Sequence, residues 1–265
     1  MNRILLFMYC IGHAFFLHAS KDSLVLIHKI PIQTELFTTD PIGNIYVLTS
    51  NNSIIKYNKN GDSLAQFNEI KKGKISHIDA TNPLRIIVYS SSFGDVFILD
   101  NMMSVKRSFS LQQLGMFSVT CVANSIDGNL WVYDPASALL LKLNEDLNIQ
   151  VSVAQRQLLN EEFEPIYLVE QDRNLYAINY DSTIYKFDLY GFYQQTLGFK
   201  SKHFQAFEHQ YLYFDQGFLV SYNAQSFSEK KMAIPYAEEV KNIHYENDRL
   251  YISYKDQLLI YQVYE

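Results

Sequence analysis

Two short motifs recur along this chain at a common interval near forty residues, and that interval constrains the fold more than any other feature. The first is Gly43-Asn44-Ile45-Tyr46-Val47, which returns as Arg85-Ile86-Ile87-Val88, Gly128-Asn129-Leu130-Trp131-Val132, Arg173-Asn174-Leu175-Tyr176-Ala177, Tyr211-Leu212-Tyr213-Phe214 and Asp248-Arg249-Leu250-Tyr251-Ile252. Anchored on Tyr46, Ile87, Trp131, Tyr176, Tyr213 and Tyr251, it is spaced by 41, 44, 45, 37 and 38 residues. The second motif follows each anchor by about ten residues and centres on Tyr57, Leu99, Leu143, Phe187, Tyr222 and Tyr261, with spacings of 42, 44, 44, 35 and 39. Asn, Asp, Gly and Ser turns separate the motifs, as in Asn58-Lys59-Asn60-Gly61-Asp62. β-branched and aromatic composition excludes helical repeats of similar length, and a period of this size with about four short strands per unit is a β-propeller blade.

Counting anchors predicts an all-β, six-bladed propeller. The last unit has no fourth strand, because the chain runs only to Glu265 after Tyr261, whereas an apolar segment from Ser23 to Ile32 precedes the first unit without a partner. That N-terminal strand is expected to complete the last blade beside Tyr261, which closes the ring and removes two exposed edges. The large anchor side chains are expected to be buried between blades, Trp131 included, and Cys121, in the alternating Ser118-Val119-Thr120-Cys121-Val122, to be a small buried hydrophobe.

Composition narrows the class. With 48% apolar and 19% charged residues, 18 Phe and 20 Tyr, the 265-residue chain is a globular protein rather than a disordered one, and it has no apolar runs of multi-pass membrane length. A net charge of −6 without a basic stripe argues against nucleic-acid binding. Residues 1–20 read as a secretory signal peptide: Arg3, then the apolar run Ile4 to Leu17, then His18-Ala19-Ser20. Residues 21–265 are the propeller. Cys10 follows Phe7-Met8-Tyr9 rather than the small residues of a lipobox, so no lipid anchor is expected. Cys121 is then the only cysteine of the exported chain, which excludes an intramolecular disulfide.

Asp40-Pro41-Ile42-Gly43-Asn44-Ile45-Tyr46-Val47 with Asn52 to Gly61 resembles the NHL repeat of six-bladed propellers, and the third unit is a weaker match through Asp127-Gly128-Asn129-Leu130-Trp131-Val132. The second unit, Gly73 to Arg85 and on to Asn101, resembles an envelope propeller family of Bacteroidota, with Asp79, Asn82, Pro83 and Asp100 at the matching places. This group is similar to the Plug subunit of the type IX secretion translocon, a periplasmic protein that closes an outer-membrane channel. The resemblance covers about 70 residues. It implies a periplasmic location, association with the outer membrane through a partner, and a cell-envelope secretion channel as that partner, without direct membrane insertion.

Chemistry is sparse. H-E-x-x-H, G-x-S-x-G and C-x-x-C are missing, and His28, His77, His203, His209 and His244 show no zinc-ligand spacing, although ligands drawn from different blades would be invisible in sequence. No catalytic residue, metal ligand or cofactor site is therefore assigned. Glu170, Glu208 and Glu246 fall where the first strand turns into the second, and Asp95, Asp134, Asp181, Asp215 and Asp256 near the next turn; both sets read as solvated turn residues. The longest interblade loop, Ala154 to Pro165, sets Leu158, Leu159 and Phe163 among charges. These three are the candidate partner-binding residues, against the alternative that they fold onto their own blade. The expected function is non-enzymatic protein binding; a metal-dependent hydrolase or lactonase on the same scaffold, or a glycan-binding module, are the rivals.

Overall fold

A computed structural model describes residues 23–68, 73–155 and 163–264. Their strands form six four-stranded antiparallel sheets. Blade 1 is β2 (Leu36–Thr39), β3 (Ile45–Leu48), β4 (Ser53–Tyr57) and β5 (Ser63–Asn68). Blade 2 is β6 (Ile75–Asp79), β7 (Ile86–Ser90), β8 (Asp95–Leu99) and β9 (Val105–Ser110). Blade 3 is β10 (Cys121–Asn124), β11 (Leu130–Asp134), β12 (Leu139–Leu143) and β13 (Ile149–Ala154). Blade 4 is β14 (Pro165–Gln171), β15 (Asn174–Asn179), β16 (Thr183–Phe187) and β17 (Tyr193–Lys200). Blade 5 is β18 (Phe204–Phe207), β19 (Gln210–Asp215), β20 (Phe218–Asn223) and β21 (Ser228–Ala233). Blade 6 takes β22 (Asn242–Glu246), β23 (Arg249–Ser253) and β24 (Leu258–Tyr264) from the C-terminus and β1 (Ser23–Ile30) from the N-terminus.

The expected closure is present: β1 runs antiparallel to β24, with Leu26 opposite Tyr261 and Ile30 opposite Leu258. A register shift between Leu26 and His28 kinks the strand, and the His28 ring then lies against blade 1, so close to Gly61 that a Cβ there would overlap it. Gly61 also sits at φ +87°, so both space and backbone require glycine.

Why the second and third strands read as unbroken apolar runs follows from the pleat. Each blade has a neighbour on both faces, and successive side chains point to opposite faces. Ile45 and Val47 pack towards blade 6, with Tyr251 and Ile260. Tyr46 and Leu48, between them in sequence, pack towards blade 2, with Ile78, Ile86 and Val88. The same division recurs at blade 3, where Leu130 and Val132 join Ile87 and Tyr89 while Trp131 and Tyr133 join Leu168 and Leu175. Fourth strands have water on their outer edge and are mostly exposed, as in β9 and β21.

Residues 1–20, read as a signal peptide, lie outside the described residues, as do Leu158 and Leu159. Phe163 is described, and it is not an exposed anchor. It is 7% exposed, with its ring edge-on to Tyr133, Tyr185 and Phe187 at centroid distances of 5.0, 5.3 and 5.7 Å. The interface between blades 3 and 4 buries it: Phe163 stands two residues before β14 and packs in the same cluster as Trp131, Leu168 and Leu175. Cys121 is fully buried as expected, with its thiol facing the Pro165 carbonyl oxygen at 3.4 Å and pushed up to about 12 by burial. That thiol is packing, not a nucleophile.

Candidate functional site

The innermost strands of the blades, β2, β6, β10, β14, β18 and β22, surround the axis, and they are joined to each other by side chains rather than by a backbone ladder. From blade 2, the Asp79 carboxylate accepts from the Asn124 backbone N–H of blade 3 at 2.7 Å. From blade 4, Glu170 reaches back to blade 3, accepting from Ser125 Oγ at 2.6 Å, Ile126 N–H at 2.8 Å and the Trp131 indole N–H at 2.5 Å. Gln171 Oε1 accepts from Ala206 N–H at 2.8 Å. The Gln205 amide pairs with both backbone groups of Tyr245, at 2.7 and 2.9 Å, as a strand neighbour would. His244 Nδ1 meets the Thr39 hydroxyl at 2.7 Å and the Gln205 amide nitrogen at 3.1 Å, which links blade 6 to blade 1.

Glu170 therefore corrects the sequence reading. It is 8% exposed and binds three donors of the neighbouring blade, where a solvated turn residue was expected. Glu208 does match that expectation and is exposed. Glu246 is half-buried at the channel wall. The aspartates of the other set mark the opposite face, Asp95 and Asp134 buried at strand ends and Asp181 bound by Thr183 and Lys200 and held well below the usual carboxylate range.

The channel has two connected halves. One, of about 410 Å³, opens on the face of the first-to-second-strand turns and collects Asp79, Glu170, Asp172, Glu208 and Glu246. The other, of about 190 Å³, is lined by His77, His203 and His244 with Tyr167, Phe37 and Phe204, and has Lys202 as its one charged side chain among the described residues. Thr38, Tyr167, Phe204 and His244 belong to both. Among the described residues no three His, Cys, Asp or Glu side chains are arranged to hold a metal ion.

Glu246 is a channel group whose protonation bears on stability. Burial, followed by the charge of Asp40, raises its pKa from 4.5 to about 7. A carboxyl raised in the folded state favours folding while protonated, so its stability contribution is intact below about pH 4.5 and is lost as pH rises towards 7. Glu246→Gln should thus be more stable than the parent by about 1 kcal/mol at pH 8, a fraction of the full shift because solvent screens this half-buried side chain, and indistinguishable from it at pH 4. Urea denaturation at the two pH values checks this; equal midpoints at pH 8 would contradict it.

The rim around the acidic mouth is divided. In blades 1, 2 and 3 the tight turns Asp40–Gly43, Asn82–Arg85 and Ser125–Gly128 each carry one aliphatic residue at the tip. These are Ile42, Leu84 and Ile126, and they are 63, 72 and 77% exposed. Each turn is locked from below: Asp40 accepts from Ile42 N–H, Asn44 N–H and the Tyr46 hydroxyl, Asn82 from Leu84 N–H, and Glu170 from Ile126 N–H. Blades 4, 5 and 6 instead present Asp172-Arg173, Glu208-His209 and Asn247-Asp248. Asp172, Arg173, Asn247 and Asp248 have positive φ, the left-handed conformation of two-residue hairpin turns. Sequence reasoning passed over Ile42, Leu84 and Ile126, although an aliphatic residue inside a turn between two strands is the signal that marks them.

No protein-family model and no curated protein matches the chain. Solved structures do. A streptogramin B lyase superposes with a TM-score of 0.63 at 10% identity, over 92% of this chain and 98% of that one. The propeller domain of Cps50 (Swd1) from Myceliophteria thermophila gives 0.63 at 10% identity, over 91% and 100%. BBS1N, solved in complex with ARL6DN, gives 0.58 at 11% identity, over 91% and 97%. At such identities the likeness is one of fold, that of a β-propeller, a scaffold whose members range from a lyase to a protein-binding module.

Proposed function

We propose that the chain is a non-enzymatic propeller of the periplasm that binds another cell-envelope protein through the rim built on blades 1 to 3. The carrying observation is the arc of Ile42, Leu84 and Ile126: three successive blades each hold an aliphatic side chain out into water on a turn braced by hydrogen bonds. Nothing in the stability of a turn asks for that, and exposed apolar groups beside a charged rim are the anatomy of a binding surface. The NHL-like first blade and the signal-like residues 1–20 support the location and the binding role. The Plug-like second blade favours a secretion-channel component of the type IX kind as the partner, and Leu84 is the tip of that blade.

The test is a pull-down from envelope extract with the mature chain, quantified by mass spectrometry. Replacing Ile42, Leu84 and Ile126 together by Ser should cut partner recovery at least tenfold and lower the melting temperature by no more than about 6 °C, since exposed substitutions rarely exceed about 0.5 kcal/mol each and a kcal/mol is worth about 2–4 °C in a chain of this size. A divalent-ion chelator should leave recovery unchanged. Binding that survives the triple substitution, or that the chelator abolishes, would count against this reading.

A further inference from the structure

Away from the rim and the channel, the seam between blades 5 and 6 lacks a filling that other seams have. In blade 1, Tyr46 of β3 lies opposite Lys56 of β4, whose ammonium stands over the ring at 5.3 Å. The same cross-strand pair is Trp131 with Lys142 in blade 3, at 4.4 Å, and Tyr176 with Lys186 in blade 4, at 6.0 Å. Blade 5 sets Leu212 opposite Ser221 at that place. Both side chains are shorter, and a recess of about 240 Å³ lies there between blades 5 and 6. Leu212 is 8% exposed, whereas Tyr46, Trp131 and Tyr176 are 0, 0 and 1% exposed.

The missing lysine has a counterpart one strand further out. Lys230 of β21 lies opposite Ser221 and is exposed, and no described residue forms an ion pair or hydrogen bond with its ammonium. Its neighbour Glu229 points to the other face of the sheet, where it meets Lys231 at 3.5 Å and the Tyr213 hydroxyl at 3.2 Å. Connectivity explains why Lys230 is free. In blades 1 and 2 the cation of this row donates to a carbonyl in the turn between the third and fourth strands of the next blade: Lys56 to Asn101 at 2.8 Å, and Arg107 to Glu145. Blade 6 has no such turn, because its third strand, β24, and its fourth, β1, come from opposite ends of the described chain.

We propose that this recess binds a small aromatic acid, its ring taking the place that Tyr46, Trp131 and Tyr176 fill in their own blades and its carboxylate meeting Lys230. Size fits: a cavity of about 150 Å³ already admits benzene, so the larger recess has room for a fused pair of rings. Lining fits as well, because Leu212, Leu219, Met232 and Val263 supply apolar walls. The rings of Phe207 and Tyr245, edge-on to each other with centroids 6.3 Å apart, offer a third ring the same packing. Charge decides the class. Among the described residues Lys230 is the one charged side chain of the lining, and the Asp248 carboxylate, outside it, already accepts from the Tyr245 hydroxyl at 3.0 Å. An apolar recess beside a single uncompensated cation selects an apolar ligand with one negative charge over a neutral or cationic one.

The experiment uses the full mature chain and saturation-transfer NMR followed by calorimetry. The probes are phenylacetate and indole-3-acetate, with tryptophol and tryptamine as neutral and cationic forms of the same indole and octanoate as an acid without a ring. At least one aromatic acid should bind with a dissociation constant in the millimolar range or tighter, and indole-3-acetate should bind better than tryptophol, tryptamine and octanoate. Lys230→Gln should weaken indole-3-acetate by about threefold to fivefold, the worth of one exposed ion pair, and bring it level with tryptophol. Ser221→Phe places a ring of the chain's own in the recess and should weaken binding tenfold or more. If Ser221→Phe does not fold, Ser221→Leu, which adds less volume, decides in its place. The Ile126→Ser rim variant should bind like the parent. The inference is overturned if neither aromatic acid binds, if tryptophol or octanoate binds as tightly as indole-3-acetate, or if binding survives the filling of the recess. None of these outcomes bears on partner recovery through the rim.

Discussion

Removing Ser23–Ile30 will convert a cooperatively melting monomer into a protein that unfolds at least 10–20 °C lower and self-associates. The segment supplies the fourth strand of blade 6 and covers Leu258, Leu259 and Ile260, which are 0, 5 and 0% exposed in the closed ring. It also contributes Ile30 to the seam between blades 6 and 1, where Phe37 and Tyr57 pack, and the His28 ring that lies on Gly61. A fully buried aliphatic side chain contributes about 1.5–3 kcal/mol, so losing even two or three of these contacts takes away about 5 kcal/mol, a large part of the 5–15 kcal/mol that holds a typical domain. At about 2–4 °C per kcal/mol for a chain of this size, the stated drop follows. The newly bared β24 edge supplies the association, since an unpaired apolar edge strand templates pairing with other chains. Circular dichroism melting and size-exclusion chromatography read both effects, and a synthetic Ser23–Ile32 peptide added in trans should recover part of the melting temperature. A truncated chain that melts and elutes like the parent would show that closure by β1 contributes nothing.

That closure was legible before any coordinates because it rests on two properties that sequence carries directly, a period and an unpaired strand at each end. The axis was not legible, and the reason is geometric. His77, Tyr167, Phe204 and His244 come from four blades, and no spacing rule links residues that meet only when a ring closes. Glu170 shows the same limit from another side. Its place at the end of a first strand suggests a solvated turn, and only the approach of blade 3 turns it into the acceptor for the Trp131 indole, the Ser125 hydroxyl and the Ile126 N–H. Trp131 itself was correctly read as core, since large aromatic side chains in a repeated strand have a blade face to fill whichever neighbour they meet. The rim lies between these cases. Its aliphatic tips are visible in sequence one at a time, but that Ile42, Leu84 and Ile126 share one face is a property of the fold.

The Ala154 to Pro165 loop tests how far apolar residues in a connection can be taken as a surface. Leu158 and Leu159 lie outside the described residues, but Phe163 has an assigned place, among Tyr133, Tyr185 and Phe187 at the seam of blades 3 and 4. Its backbone is held there too, because the Tyr133 hydroxyl donates to the Phe163 carbonyl at 2.9 Å. Phe163→Ala should accordingly cost about 3–5 kcal/mol, the usual price of truncating an aromatic in a close-packed interior, where the surrounding rings cannot collapse into the space left behind. In urea denaturation the midpoint should fall while the dependence on urea concentration stays the same, since the folded and unfolded states expose nearly the same surface as before. Phe163→Leu should cost less, because it keeps most of the apolar volume. Partner recovery, measured at a temperature where the variant is still folded, should equal that of the parent. A Phe163→Ala chain with unchanged stability and lost binding would return this residue to the surface and make the interblade loop, not the aliphatic rim, the place where the partner docks.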